Sequence, residues 1–235
     1  MLNPEGRVIL VSGSSRGIGQ AIADRLLRSG FTVSAGLRRP GAAPAHPRLT
    51  AYRYDADHDD SAREWIAGTI RDFGRIDGLV NAAGILKKTP LIDSDQAELF
   101  DAMDRMWQVN VKGPVALVRA AWPHLMACGE GRVVNVSSLS GKRIRTETVA
   151  YSMSKYALMA LHHDIRRIGW PHGIRATALC PGAVNTAMHD SLDPSSRAQI
   201  TQPEDLAELV DVALRLPNNA SVAEILVNWQ HEAMF

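Results

Sequence analysis

Short apolar runs alternate with amphipathic helical stretches along the whole 235-residue sequence. Seven runs, residues 7–12, 31–37, 49–54, 76–80, 132–136, 174–180 and 223–228, have the length and apolar content of strands buried on both faces. Between them the apolar spacing is helical. Ile18, Ile22 and Leu26 lie one turn apart ahead of the stop signal Gly30, and Trp65, Ile66, Ile70 and Phe73 follow a Ser61/Glu64 pair that reads as a capping box. Residues 95–126 read as mostly helical, with Gly113, Pro114 and Pro123 expected to bend or interrupt the segment. Residues 151–168 carry an apolar face of Ala157, Leu158, Leu161 and Ile165, and Thr201 and Glu204 bracket Pro203 at the start of a last helix reaching about Leu216. Strands that alternate with helices require crossover connections, so the pattern implies an α/β fold: a doubly wound parallel sheet with helices on both faces.

A chain of this length with 46% hydrophobic residues can bury a large core, and residues 1–235 are expected to form a single domain. Net charge is +1 with Lys and Arg scattered, which argues against nucleic acid or a membrane surface as partner. The two cysteines, Cys128 and Cys180, have no metal-ligand spacing, and no metal is expected. No leader or membrane-length apolar segment is apparent, so the expected location is cytoplasmic.

In doubly wound sheets ligands bind beyond the carboxyl ends of the strands. Immediately after the first run come Gly13, Ser14, Ser15, Arg16, Gly17, Ile18 and Gly19. Glycines there let the backbone approach a pyrophosphate while the following helix points free N–H groups at it, the arrangement of a dinucleotide-binding Rossmann fold. The alternative is a tight structural turn with no ligand. At the end of the second run Leu37 is followed by Arg38 and Arg39, with Arg16 in the glycine turn. A carboxylate at the position of Leu37 would accept both ribose hydroxyls and select NAD; no carboxylate is available there, and arginines suit a 2′-phosphate, so NADP(H) is expected over NAD(H).

Tyr151 and Lys155 lie four apart in a helical stretch and share a face. A nearby ammonium lowers a phenol's pKa, which would make Tyr151 a usable proton carrier near neutrality. Ser138 follows the fifth run, where a hydroxyl can bond a reacting carbonyl oxygen; Ser137 and Ser140 are not distinguishable from it by residue type, and all three also suit a turn. Lys142, Arg143 and Arg145 form the one basic cluster, either a solvated loop or a contact for an anionic substrate.

Taken together and in order, GSSRGIG from Gly13, Asp55, NAAG from Asn81, Asn110, VNVSS ending at Ser138, YSMSK from Tyr151 and PGAVNT from Pro181 make the chain similar to the short-chain dehydrogenase/reductase family over nearly its whole length. The resemblance implies that Tyr151 is the general acid/base, that Lys155 holds the nicotinamide ribose and lowers the tyrosine pKa, that Ser138 orients the carbonyl, and that Asn110 anchors a water linking Lys155 to solvent. It also implies that Gly13, Ser15, Arg16, Gly17, Ile18, Gly19, Arg38, Arg39, Asp55, Asn81, Gly84, Pro181, Gly182, Val184 and Thr186 join Tyr151 and Lys155 in binding the cofactor. The implied activity is hydride transfer between NADP(H) and a small carbonyl or alcohol, in a homotetramer or dimer. Two departures stand out: Ala82 replaces the usual second asparagine of NNAG, and SVAEILVNWQHEAMF replaces the usual glycine-rich ending. The competing function is a non-catalytic dinucleotide sensor or scaffold on the same fold; a nucleotide-sugar epimerase or dehydratase suits longer chains.

Overall fold

The computed structural model describes residues 1–144, 147–189 and 193–232. Seven strands, β1 (Val8–Ser12), β2 (Thr32–Leu37), β3 (Leu49–Arg53), β4 (Gly78–Asn81), β5 (Arg132–Val136), β6 (Arg175–Pro181) and β7 (Glu224–Val227), form one sheet in the order β3-β2-β1-β4-β5-β6-β7. Every pairing is parallel. The order reverses between β1 and β4, which opens a crevice at their carboxyl ends; Ser12 is in register with Asn81, and Asn81 with Asn135.

Helices α1 (Gly17–Ser29) and α7 (Pro203–Arg215) cover one face, where Ile9, Val11, Val33, Val80 and Val134 meet Ile22, Leu26, Leu206 and Val210. Helices α2 (Ser61–Phe73), α4 (Gly113–Ala127) and α5 (Val149–Gly169) cover the other, with Leu10, Leu79 and Val133 against Trp65, Leu117 and Ile165. Alternate residues of a strand face opposite ways, so a sheet covered on both sides needs continuous apolar runs, as seen here. Among the described residues no helix is long and apolar enough to cross a membrane.

Several ends differ from the sequence expectation. Helix α1 stops as expected, with Gly30 left-handed at φ 103°. Ser61 is not a cap: the flanking residue is Asp60, and the Ser61 hydroxyl instead accepts from the Asp55 N–H at 2.7 Å, closing the turn after β3. The segment after β4 is interrupted as Gly113 and Pro114 implied, with α3 (Gln96–Trp107) running into a π-helical turn, Gln108–Lys112, before α4. In that turn the Gly113 N–H reaches back five residues to the Gln108 carbonyl. Pro114 has no N–H to give the Asn110 carbonyl and its ring crowds it, so one extra residue is accommodated there. A short helix α6 (Pro194–Gln199) precedes α7, which starts at Pro203 with the Asp205 carboxylate accepting from the Gln202 N–H, one residue later than the Thr201/Glu204 pairing implies.

Candidate active site

The glycine turn after β1 is shaped by contacts no side chain could share. Gly13 (φ 70°) and Gly17 (φ 58°) are left-handed. A Cβ on Gly13 would lie 2.7 Å from the Ala83 Cα, and one on Gly19 would collide with the Gly13 carbonyl. Ser12, which sequence reasoning missed, staples this turn to the end of β4: its hydroxyl accepts from Ala82 N–H (3.1 Å) and Ala83 N–H (3.2 Å). Ser15 and Arg16 are exposed at the turn and Ile18 is half-buried behind it. The Ser14 hydroxyl is buried without a partner among the described residues, as is Asn81 Oδ1, although Asn81 Nδ2 donates to Asn135 Oδ1 at 2.8 Å. A backbone cradle closed to side chains, with orphaned oxygens at its edge, fits a bound dinucleotide.

Arg38 and Arg39 follow β2 into solvent, and with Arg16 they form no ion pair among the described residues. Leu37 is buried at the end of β2 and helps line a cavity of about 40 Å³ with Ser14, Ser15, Gln20, Asp24 and Pro44. Asp24 brings a carboxylate to this lining from α1, while the end of β2 itself carries none. Asp24 stands two helical turns into α1, about 10 Å along the axis from Gly17, whereas Arg16 flanks the start of α1 and Arg38 follows the end of β2. Asp55 follows β3, and its Oδ1 accepts from the Asp57 N–H at 3.3 Å.

The elements then converge. Tyr151 and Lys155 lie on the buried face of α5, with Lys155 Nζ 5.6 Å from the Tyr151 ring centroid. Lys155 Nζ donates to the Val136 carbonyl at the end of β5 (2.9 Å). Two residues on, the Ser138 hydroxyl lies near enough to the Tyr151 phenol to influence its titration, and it reaches the Pro181 carbonyl at 3.4 Å. Ser137 instead turns towards the Lys155 carbonyl, which separates the serines that residue type could not. Asn110 is locked by its side chain: Nδ2 donates to the Ile85 carbonyl (2.9 Å) and Ser154 Oγ (3.0 Å), and Oδ1 accepts from the Ile85 N–H (2.9 Å). Its main-chain carbonyl cannot accept from residue 114, since Pro114 has no N–H. Gly84 lies between these groups; a Cβ there would be 3.4 Å from Asn110 Oδ1 and 3.6 Å from Lys155 Nζ.

The turn after β6 closes the remaining side. The Gly182 N–H donates to the Val227 carbonyl at 2.9 Å, Val184 is buried, and the Thr186 methyl would lie 3.2 Å from a Cβ on Gly17, so this turn meets the glycine turn. The basic cluster is not the solvated loop or free anion contact that spacing suggested. Lys142 pairs with Glu224 at 2.8 Å and Arg143 takes Glu232 in two bonds of 2.7 and 2.6 Å; Arg145 lies outside the described residues.

Residues 7–197 match the family model described as short chain dehydrogenase. The chain belongs to the short-chain dehydrogenase family. Agropine synthesis reductase of Rhizobium rhizogenes is 39% identical over 220 residues, covering 92% of this chain and 50% of the reductase, so the chain spans about half the length of that relative. A solved 3-ketoacyl-(acyl-carrier-protein) reductase from Brucella melitensis complexed with NADH has a TM-score of 0.84 at 26% identity, covering 95% of this chain and 97% of that one. An alcohol dehydrogenase from Thermococcus sibiricus complexed with 5-hydroxy-NADP has a TM-score of 0.85 at 26% identity, covering 96% and 98%.

Electrostatics in this short-chain dehydrogenase differ from the sequence expectation in one respect. Burial pushes the Tyr151 phenol up to about 12, with the Ser138 hydroxyl pulling the other way. Burial also holds the Lys155 amine down at about 8. Both shifts favour the uncharged forms, because a low-dielectric site penalises either charge. The protein alone therefore keeps the phenol protonated instead of lowering its pKa.

Proposed function

We propose that this chain is an NADP(H)-dependent oxidoreductase that moves a hydride between the nicotinamide and a carbonyl or secondary-alcohol substrate. The observation that carries the reading is the meeting of Tyr151, Ser138 and Lys155 beside a backbone cradle that excludes side chains. A bound nicotinamide cofactor supplies the hydride. Tyr151, protonated through burial, gives its phenolic proton to the carbonyl oxygen as general acid and takes it back in the oxidative direction. Ser138 donates to the same oxygen and orients it. Lys155 holds the nicotinamide ribose, and the Asn110 carbonyl keeps a water through which the proton is resupplied. Gly13, Ser15, Arg16, Gly17, Ile18 and Gly19 hold the pyrophosphate, Asp55, Asn81 and Gly84 the adenosine, and Pro181, Gly182, Val184 and Thr186 the nicotinamide end.

Related structures carry either NADH or an NADP derivative, so the cofactor preference rests on this chain's own residues. Buried Leu37 offers the ribose no carboxylate, and Arg16, Arg38 and Arg39 are free to take a 2′-phosphate. Residues 1–235 acting as one catalytic unit, in the cytoplasm and as a homo-oligomer, complete the proposal; exposed Met153 and Tyr156 on the outer face of α5 suit such a contact. The test is NADPH oxidation by the purified protein against ketones, oxo acids, acyl thioesters, quinones and sugars. Cofactor binding with no turnover across that panel would favour the sensor reading.

A further inference from the structure

Four successive strands hand over to segments that each expose a large apolar side chain at the carboxyl edge of the sheet: Leu91 and Ile92 after β4, Ile144 after β5, Met188 after β6 and Trp229 after β7. Isolated exposed hydrophobics are ordinary, but their recurrence after each of four successive strands that end at the ligand-binding edge is not. Several cations of the same segments already have partners. Lys87 pairs with Glu98 (3.0 Å), Lys142 with Glu224, and Arg143 with Glu232, and Arg197 donates to Asn185 Oδ1; Lys88 forms no ion pair among the described residues.

The Arg143–Glu232 pair differs in kind from the others. Its side chains are only 10% and 8% exposed, and the contact is bidentate. A planar fork matched to a carboxylate and withdrawn from water fixes geometry as well as charge. It ties the segment after Ser138 to the end of the chain and carries the tail across the corner formed by Leu139 and Gly182. There the Trp229 Cδ1 would lie 3.4 Å from a Cβ on Gly182 and the Leu139 Cδ1 3.3 Å, so Gly182 makes room for both. The neighbouring Pro181 carbonyl is the acceptor for the Ser138 hydroxyl. The unusual tail thus brings an indole to within one residue of the group that anchors Ser138.

We infer that Trp229, held by the Arg143–Glu232 latch, is a wall of the substrate cleft, and that the cleft takes uncharged, largely apolar carbonyl compounds in preference to carboxylates. This rests on the oxidoreductase reading above. It assigns the basic cluster the opposite effect from attracting anions: Glu232 occupies Arg143 as a substrate carboxylate would.

The test is calorimetric titration of the full chain, saturated with NADP+, with benzylacetone and with its para-carboxylate. Wild type binds benzylacetone more tightly by about tenfold or more, and Trp229→Ala weakens that binding by about tenfold, as loss of one aromatic contact implies. Glu232→Gln, which leaves Arg143 unpaired, strengthens binding of the para-carboxylate by about fivefold or more, and Arg143→Gln does not. Trp229→Ala and Arg143→Gln keep the wild-type affinity for NADP+. Equal or tighter binding of the carboxylate by wild type, no detectable binding of benzylacetone, or an unchanged benzylacetone affinity in Trp229→Ala each overturns the inference. Failure to bind NADP+, or binding of both ketones without reduction when NADPH is supplied, overturns the oxidoreductase reading instead.

Discussion

Tyr151 and Lys155 place two ionisable groups in one buried pocket, and the burial that raises the phenol also depresses the amine. A lysine held near 8 loses its proton at a lower pH than an exposed one. Reduction is therefore expected to run level below about pH 8 and to fall above it as Lys155 deprotonates, while Tyr151 stays protonated. A kcat/KM profile checks this; Lys155→Arg, which stays charged, moves the fall to higher pH in whatever activity it retains. At the adenine end, the proposed charge-assisted bonds from Arg16 and Arg38, at about 1.5–3 kcal/mol each, are expected to give NADPH at least about a tenfold advantage over NADH in kcat/KM at fixed salt. Leu37→Asp with Arg38→Leu reverses it. Equal values for the two dinucleotides in wild type would remove the arginines from cofactor selection.

The π-helical turn shows how one residue tunes an element. Pro114→Ala supplies an N–H that can bond the Asn110 carbonyl, so thermal stability is expected to hold or rise while kcat drops about tenfold if that carbonyl keeps the proposed proton-relay water. Asn110→Ala behaves differently, because it leaves the Ile85 amide and carbonyl unpaired in the interior and removes the donor to Ser154 Oγ, whose hydroxyl keeps only its bond to the Tyr151 carbonyl. Denaturant unfolding should report a loss of about 2–4 kcal/mol. The strands were legible because a sheet covered on both faces demands unbroken apolar runs, and the glycine turn because only glycine fits it. Local signals with two structural uses were less legible. Ser61 looked like a cap but closes the preceding turn, and Pro114 signalled an interruption without saying that it would be a π turn holding buried Asn110. Ser12 and Ser154 carried no pattern at all, since a staple between distant segments leaves no spacing in the sequence.

Across the whole molecule, partners far apart in the chain decide what the residues can do. Arg143 and Lys142 met their carboxylates at Glu232 and Glu224, about eighty residues away, which no local reading of the basic cluster could supply. A second long-range feature is the buried chain from Asn81 through Asn135 to His162, whose Nε2 meets the Ala223 carbonyl at 3.0 Å before β7. Burial, with His163 beside it, holds His162 down at about 4. Its folded value lies below the unfolded one, so its contribution to stability is complete above about pH 6.5 and is lost as pH falls towards 4. The loss should be about 3 kcal/mol, and His162→Gln should flatten stability across that window in denaturant titrations. The cleft at the carboxyl edge of the sheet is where these elements meet, and its proposed chemistry turns on one proton. The most direct measurement compares wild type and Tyr151→Phe for NADPH-dependent reduction of the best carbonyl substrate, alongside NADPH affinity. Loss of turnover to below about a hundredth with NADPH affinity kept is the expected result; retention of more than about a tenth of wild-type turnover would mean that a group other than Tyr151 donates the proton.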